Sequence, residues 1–211
     1  MKKVGFIGVG NIANAIISGG VQNNILTPKS TLLFDVNGEK LSSFAQKGFC
    51  IMNSAKDLAE QTDLLFLTVK PQILLTVLEE LKPHLKENVL IISPVAGVKM
   101  EKINKALGLN KKIIRVMPNT PLMYSAGATA IAVGEGVSEE EKAFCEKIFA
   151  SSGVTAILPE EQIDAVTGIS GSSPAFFMRF AREIINEGVN QGMSRETPKN
   201  WYLAPCLAPQ K

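Results

Sequence analysis

Short, near-continuous runs of Val, Ile, Leu and Phe recur along the chain, each followed by a longer segment of helical period. The runs are Val4–Ile7, Thr31–Phe34, Leu64–Val69, Val89–Ile92, Lys112–Val116 and Ala128–Val133. A strand with one face in water alternates apolar and polar residues. These runs do not alternate, so they read as strands covered on both faces. Between them lie Asn11–Gln22, Asn37–Gln46, Ser54–Gln61, Gln72–Leu81 and Met100–Ala106, which read as helices. Strand–helix alternation at this spacing predicts an α/β fold built on a mainly parallel sheet.

The second half changes character. Ser138-Glu139-Glu140-Glu141 carries the Ser-x-x-Glu capping pattern and should open a helix reaching about Ser151. Val154–Leu158 reads as a last strand, and Pro159 marks a boundary. From Glu161 to about Gly192 the apolar positions, among them Phe176, Phe177, Phe180 and Ile184, follow a helical period. Pro174 is expected to split or kink that segment, because proline has no N–H for a helical hydrogen bond. Pro198, Pro205 and Pro209 predict an irregular tail from Thr197 to Lys211.

Composition narrows the function classes. With 45% hydrophobic residues the chain has enough apolar surface for a folded core. Lys plus Arg number 22 and Asp plus Glu 20, and no basic run stands out, so neither nucleic acid nor a membrane surface is expected as a partner. No apolar stretch approaches the roughly 18 residues of a membrane span, and the start does not read as a signal peptide. Cys50, Cys145 and Cys206 are scattered without CxxC spacing, which argues for reduced thiols, a cytoplasmic location and no zinc site. His84 is the only histidine, so a His-based triad or metal centre is not expected.

The motif that carries chemistry is Gly8-Val9-Gly10-Asn11-Ile12-Ala13, which directly follows a strand and opens a helix. In such a turn Gly8 allows the tight bend, Gly10 lets the backbone approach a pyrophosphate, and Ala13 keeps the helix close to the sheet. The free N–H groups at the helix start favour phosphates. The second strand ends at Asp35, where a carboxylate can accept a ribose 2′-hydroxyl or cap the next helix; the nearby Lys40 could instead offset a 2′-phosphate. The choice between NADPH and NADH stays open at this level. Ligands of open α/β sheets lie beyond the carboxyl ends of the strands. Lys70, Ala96 and Asn119 all occupy such exits. Lys70 reads either as a cofactor contact or as a solvated strand end. Asn119 reads either as an amide offered to a ligand or as a turn-stabilising residue between prolines.

Taken together, the segments resemble the pyrroline-5-carboxylate reductase family. The resemblance rests on residues 5–13, on Val69-Lys70-Pro71-Gln72, on Ala96-Gly97-Val98, on Arg115-Val116-Met117-Pro118-Asn119-Thr120-Pro121 and on Ser170-Gly171-Ser172-Ser173-Pro174-Ala175 within residues 164–176. It implies reduction of L-1-pyrroline-5-carboxylate to L-proline with hydride from NADPH or NADH. It implies cofactor contacts at Ile7, Gly8, Gly10, Asn11, Ile12, Val69, Lys70, Pro71, Ala96 and Asn119, beside the Asp35 read from the motif. The fold expected is thus a Rossmann-type dinucleotide-binding domain over residues 1–159, followed by a truncated all-helical dimerisation domain over residues 160–211 with an irregular tail. A homodimer or larger homo-oligomer follows from the same resemblance.

The motif resemblance stops near residue 196. A glutamate usual in the family stands about where this chain has Arg182, and the family's carboxylate-binding Ser-Pro-Gly-Gly-like loop has no counterpart. No catalytic residue is assigned, and an inactive cofactor-binding remnant acting as an interaction module is the alternative reading. A β-hydroxyacid dehydrogenase would place a Lys after the Gly-rich segment, and residues 168–180 contain none.

Overall fold

A computed structural model describes residues 2–108 and 110–206, with only the backbone described for residues 203–206. The chain divides into two compact units, residues 1–171 and residues 172–211. Among the described residues no helix is long and apolar enough to cross a membrane.

The first unit holds one sheet of eight strands. In chain order they are β1 (Val4–Ile7), β2 (Thr31–Phe34), β3 (Cys50–Ile51), β4 (Leu64–Leu67), β5 (Leu90–Ser93), β6 (Lys112–Pro118), β7 (Gly127–Val133) and β8 (Gly153–Ile157). Their spatial order is β3-β2-β1-β4-β5-β6-β7-β8. From β3 to β6 every pairing is parallel, β7 runs antiparallel to β6, and β8 pairs parallel with β7. The chain winds from β1 towards β3 and then reverses to β4 on the other side of β1. The switch point of this doubly wound sheet therefore lies between β1 and β4.

Helices α1 (Asn11–Gln22), α2 (Glu39–Gln46), α3 (Ala55–Gln61), α4 (Leu74–Leu81), α5 (Met100–Leu107), α6 (Glu139–Ala150) and α7 (Glu160–Val166) cover both faces. Because strand side chains point alternately to opposite faces, each run feeds two cores. Phe6, Leu33, Phe66, Ile92 and Ile114 pack with Ile16 and Ile17 of α1 and Phe149 of α6. Ile7, Leu32, Leu65, Ile91 and Ile113 pack with Leu58, Leu78 and Ile103 of the opposite helices. The Phe6 and Phe66 rings stack with centroids 4.4 Å apart. Each fully buried side chain of this size contributes about 1.5–3 kcal/mol, so no polar residue fits in these runs without a partner.

The expected elements recur with instructive differences. The β1, β2 and α1 boundaries coincide with the sequence reading. Ser138 and Glu141 form the complete capping box at the start of α6. The strand expected to reach Val69 ends at Leu67, because Thr68 turns its hydroxyl onto the Gly8 carbonyl at 2.6 Å. β3 was not expected; two residues carry too little pattern to register.

In the second unit α8 (Ser173–Asn190) begins one residue before Pro174, and a wide helical turn, Thr167–Gly171, precedes it in the first unit. Of the two expectations for Pro174 the split holds and the kink does not: the helical segment breaks before it and Pro174 lies in the first turn of α8, where its missing N–H has no helical acceptor to lose. The irregular tail expected from Thr197 is corrected: α9 spans Glu196–Cys206. Pro198 falls in the first turn of α9, where proline is tolerated. Rings hold the pair together, with Tyr202 lying 6.3 Å from Phe177 and 6.5 Å from Phe180. The Pro209 part of that expectation lies outside the described residues.

Candidate active site

The site grows from the turn that links β1 to α1. The Gly8 N–H bonds to the Phe34 carbonyl at 2.9 Å, which carries the β1–β2 pairing one residue past the strand end. The backbone then turns at Gly8 with φ of 88°, where a side chain would also press on the Thr68 carbonyl. Thr68, at the end of β4, donates its hydroxyl to the Gly8 and Ile7 carbonyls. The elbow is therefore tied to the strands on both sides of β1.

Gly10 has a different reason to be glycine. A Cβ there would meet no atom within 4 Å. The residue faces open space, with ordinary extended backbone at φ −90°. No side chain caps α1, and its first turn contains no acid. The leading N–H groups of a twelve-residue helix thus point into that space with the positive end of the helix dipole behind them. This arrangement fits a pyrophosphate: close backbone approach, donors, and no competing anion from α1 itself.

Asp35 closes the next side. One carboxylate oxygen accepts the Val9 N–H at 2.7 Å, and the other accepts the Asn37 N–H at 2.9 Å. Lys40 Nζ stands 3.3 Å from the first of these oxygens. Burial pushes the Asp35 carboxyl up, but the two backbone donors and Lys40 outweigh it and hold it below the ordinary carboxylate range. An ionised carboxylate therefore locks the glycine turn to the loop after β2.

These groups wall one cavity of about 310 Å³ at the switch point. Of the residues expected from the sequence, the structure brings Ile7, Gly8, Gly10, Asp35, Val69 and Lys70 into its wall. Asn11 and Ile12 form the first turn of α1, and Pro71 opens the short helical turn after Lys70. Ala96 is exposed in the loop beyond β5, outside the cavity wall. Asn119 is buried; its amide donates to the Ser170 carbonyl at 3.3 Å, and its oxygen accepts the Ala128 N–H at 2.9 Å. That side chain ties the exit of β6 to the turn after α7.

Val36, Ile73, Val77 and Glu80 also line the cavity and were not singled out from the sequence. Val36 is 92% exposed, unusual for a large apolar side chain, and with Ile73 it offers apolar surface to a flat ring. The only signal for Val36 in the sequence is its place just past the Asp35 strand end.

A second polar cluster lies under α7. Arg115 on β6 is 1% exposed, and its Nη2 donates to Asp164 at 2.6 Å. Its Nη1 lies 3.5 Å from Glu160, and Glu160 accepts the Met100 N–H at the start of α5. One buried cation thus anchors α7 and, through Glu160, the loop that carries Ala96.

A doubly wound sheet with a glycine elbow and an acid at its switch point defines a Rossmann-type dinucleotide-binding protein. Residues 3–97 match the family model described as NADP oxidoreductase, coenzyme F420-dependent, and residues 160–206 match that for pyrroline-5-carboxylate reductase dimerisation. The pyrroline-5-carboxylate reductase of Escherichia coli strain K12 is 35% identical over 195 residues, covering 92% of this chain and 72% of that protein. The Arabidopsis thaliana enzyme of the same name is 32% identical over 209 residues, covering 99% and 73%. Among solved structures, the Plasmodium falciparum pyrroline carboxylate reductase with NADP bound superposes with a TM-score of 0.88 at 31% identity, covering 97% of this chain and 76% of that one. The Coxiella burnetii reductase gives 0.89 at 31% identity, covering 98% and 77%. The chain belongs to the pyrroline-5-carboxylate reductase family. The dimerisation match reaches residue 206, past the point near 196 where the motif resemblance stops.

Proposed function

We propose that this chain reduces L-1-pyrroline-5-carboxylate to L-proline with hydride from NAD(P)H. The observation that carries the reading is the uncapped, open turn at Gly10, at the switch point of a chain in this family. The bound dinucleotide supplies the hydride that adds to the imine carbon. The protein's part is placement. Gly10 and the leading amides of α1 hold the diphosphate, Asp35 and Val36 receive the adenosine end, and Val69, Lys70 and Pro71 line the passage beyond β4. Ala96 leaves room for the reacting ring at the β5 exit. Asn119 and Arg115 hold the β6 exit and the Ala96 loop in position for it.

A protonated cyclic imine is already electrophilic, so near-attack placement contributes more than a strong general acid. The carboxylate of the substrate needs N–H or hydroxyl donors. Ser170, Ser172 and Ser173 offer such donors or serve close helix packing.

We divide the labour at residue 159, with residues 1–159 binding the dinucleotide and residues 160–211 joining two copies. The dimerisation match beginning at residue 160 supports that division. Exposed apolar residues on α8, among them Phe176 at 72% and Phe180 at 61%, support a homo-oligomer. Free thiols at Cys50 and Cys145 accord with a cytoplasmic setting.

The test is an assay of the full chain with NADH or NADPH and the cyclic imine. The reading expects proline formed in equal amount to cofactor oxidised. Cofactor binding without proline formation would instead establish the inactive remnant.

A further inference from the structure

We propose that Asp35 makes this chain prefer NADH: its carboxylate accepts the adenosine ribose hydroxyls and turns away a 2′-phosphate. The inference rests on the dinucleotide reading above and deepens it.

Three observations point the same way. First, Asp35 cannot swing aside. Its side chain is 7% exposed, and each oxygen is held by a backbone donor, Val9 N–H on one and Asn37 N–H on the other. Lys40 Nζ takes the remaining acceptor position on each oxygen at only 3.3 and 3.5 Å, and its side chain is 48% exposed, so those positions are the ones a ribose diol would take over. A fixed anion at that spot meets a phosphate dianion with like charge.

Second, the cavity wall carries no excess of positive charge. Lys40 lies against Asp35, and the charged residues of the wall are Lys40 and Lys70 with Asp35 and Glu80. Glu39 adds a further carboxylate at the start of α2. No arginine lines the cavity, and arginine is the residue suited to bidentate phosphate recognition.

Third, the backbone beside the ribose position offers few spare donors. Glu39 N–H bonds to the Asn37 side chain at 3.0 Å, Lys40 N–H to the Asn37 carbonyl at 3.3 Å, and Leu41 N–H to the Gly38 carbonyl at 3.0 Å. The start of α2 is thus self-satisfied, whereas the start of α1 is open. The pyrophosphate has its donors, and a second phosphate at the ribose does not. The Plasmodium falciparum relative was solved with NADP bound; the charges here favour NADH for this chain.

The test is a fluorescence titration of the full chain with NADH and with NADPH, without substrate. The expected result is NADH binding tighter by about tenfold or more, the scale of one charge-assisted hydrogen bond lost. NADPH binding as tightly as NADH, or more tightly, overturns the inference while leaving the dinucleotide reading intact. Binding of neither removes both. Asp35→Ser is expected to shift the ratio towards NADPH by about tenfold. Should that variant not fold, Lys40→Ala serves: removing the cation that faces Asp35 is expected to widen the NADH preference, and an unchanged or narrowed ratio would contradict the inference.

Discussion

Gly8 and Gly10 are two residues apart and are glycine for opposite reasons. At Gly8 the φ of 88° and the Thr68 carbonyl, 2.8 Å from where a Cβ would sit, make any side chain a strain on the protein itself. Gly8→Ala is expected to destabilise the ligand-free chain by about 1–3 kcal/mol, read as a lower midpoint in thermal or urea unfolding. Asp35 adds a pH signature. Its carboxyl is held below the ordinary range in the folded chain. Its contribution is therefore complete above the unfolded-state value near 3.9 and disappears as pH falls through the folded value. Between about pH 5 and 3 the Asp35→Asn chain should lose less stability than the wild type, followed by melting across that range. The remaining acid loss belongs to groups such as Asp63 and Glu141, whose carboxyls are also held low despite burial, by Lys86 and Lys112 respectively.

At the scale of elements, α7 hangs on one buried cation. Asp164→Ala leaves the Arg115 guanidinium buried with only Glu160 beside it. A loss of about 1–3 kcal/mol is expected from the under-satisfied charge, measurable as a lower urea midpoint. The elements also show where pattern is readable. β1 and α1 were legible to the residue because an unbroken apolar run, two glycines and a periodic helix follow one another within residues 4–22. α9 is not legible, because prolines argue locally against a helix while Pro198 sits in the first turn, where it costs no hydrogen bond. Two-residue β3 exists through its pairing with β2, and pairing leaves no local mark.

For the whole molecule, legibility divides along the same line. Of the cavity wall, Ile7, Gly8 and Gly10 lie on one continuous stretch and carry a local signal, as does the strand-end Asp35. Val77 and Glu80 lie on α4 and reach the cavity only through the fold, so no spacing announces them. Assembly is a whole-molecule property too. Phe176, Phe177 and Phe180 crowd one end of α8 and are more than half exposed, a patch that soluble monomers seldom show. Phe176→Asp with Phe180→Asp is expected to shift the chain to smaller species in sedimentation velocity, while the dinucleotide unit retains cofactor binding.

The account depends most on a diphosphate lying against the open turn at Gly10. Gly10→Val tests it directly, since a Cβ at this position meets no protein atom within 4 Å and enters the space proposed for the ligand. Titration of this variant with NADH, beside a thermal melt, should show wild-type stability and affinity weakened by about a hundredfold or more. Undiminished NADH affinity in a folded Gly10→Val chain would contradict the account.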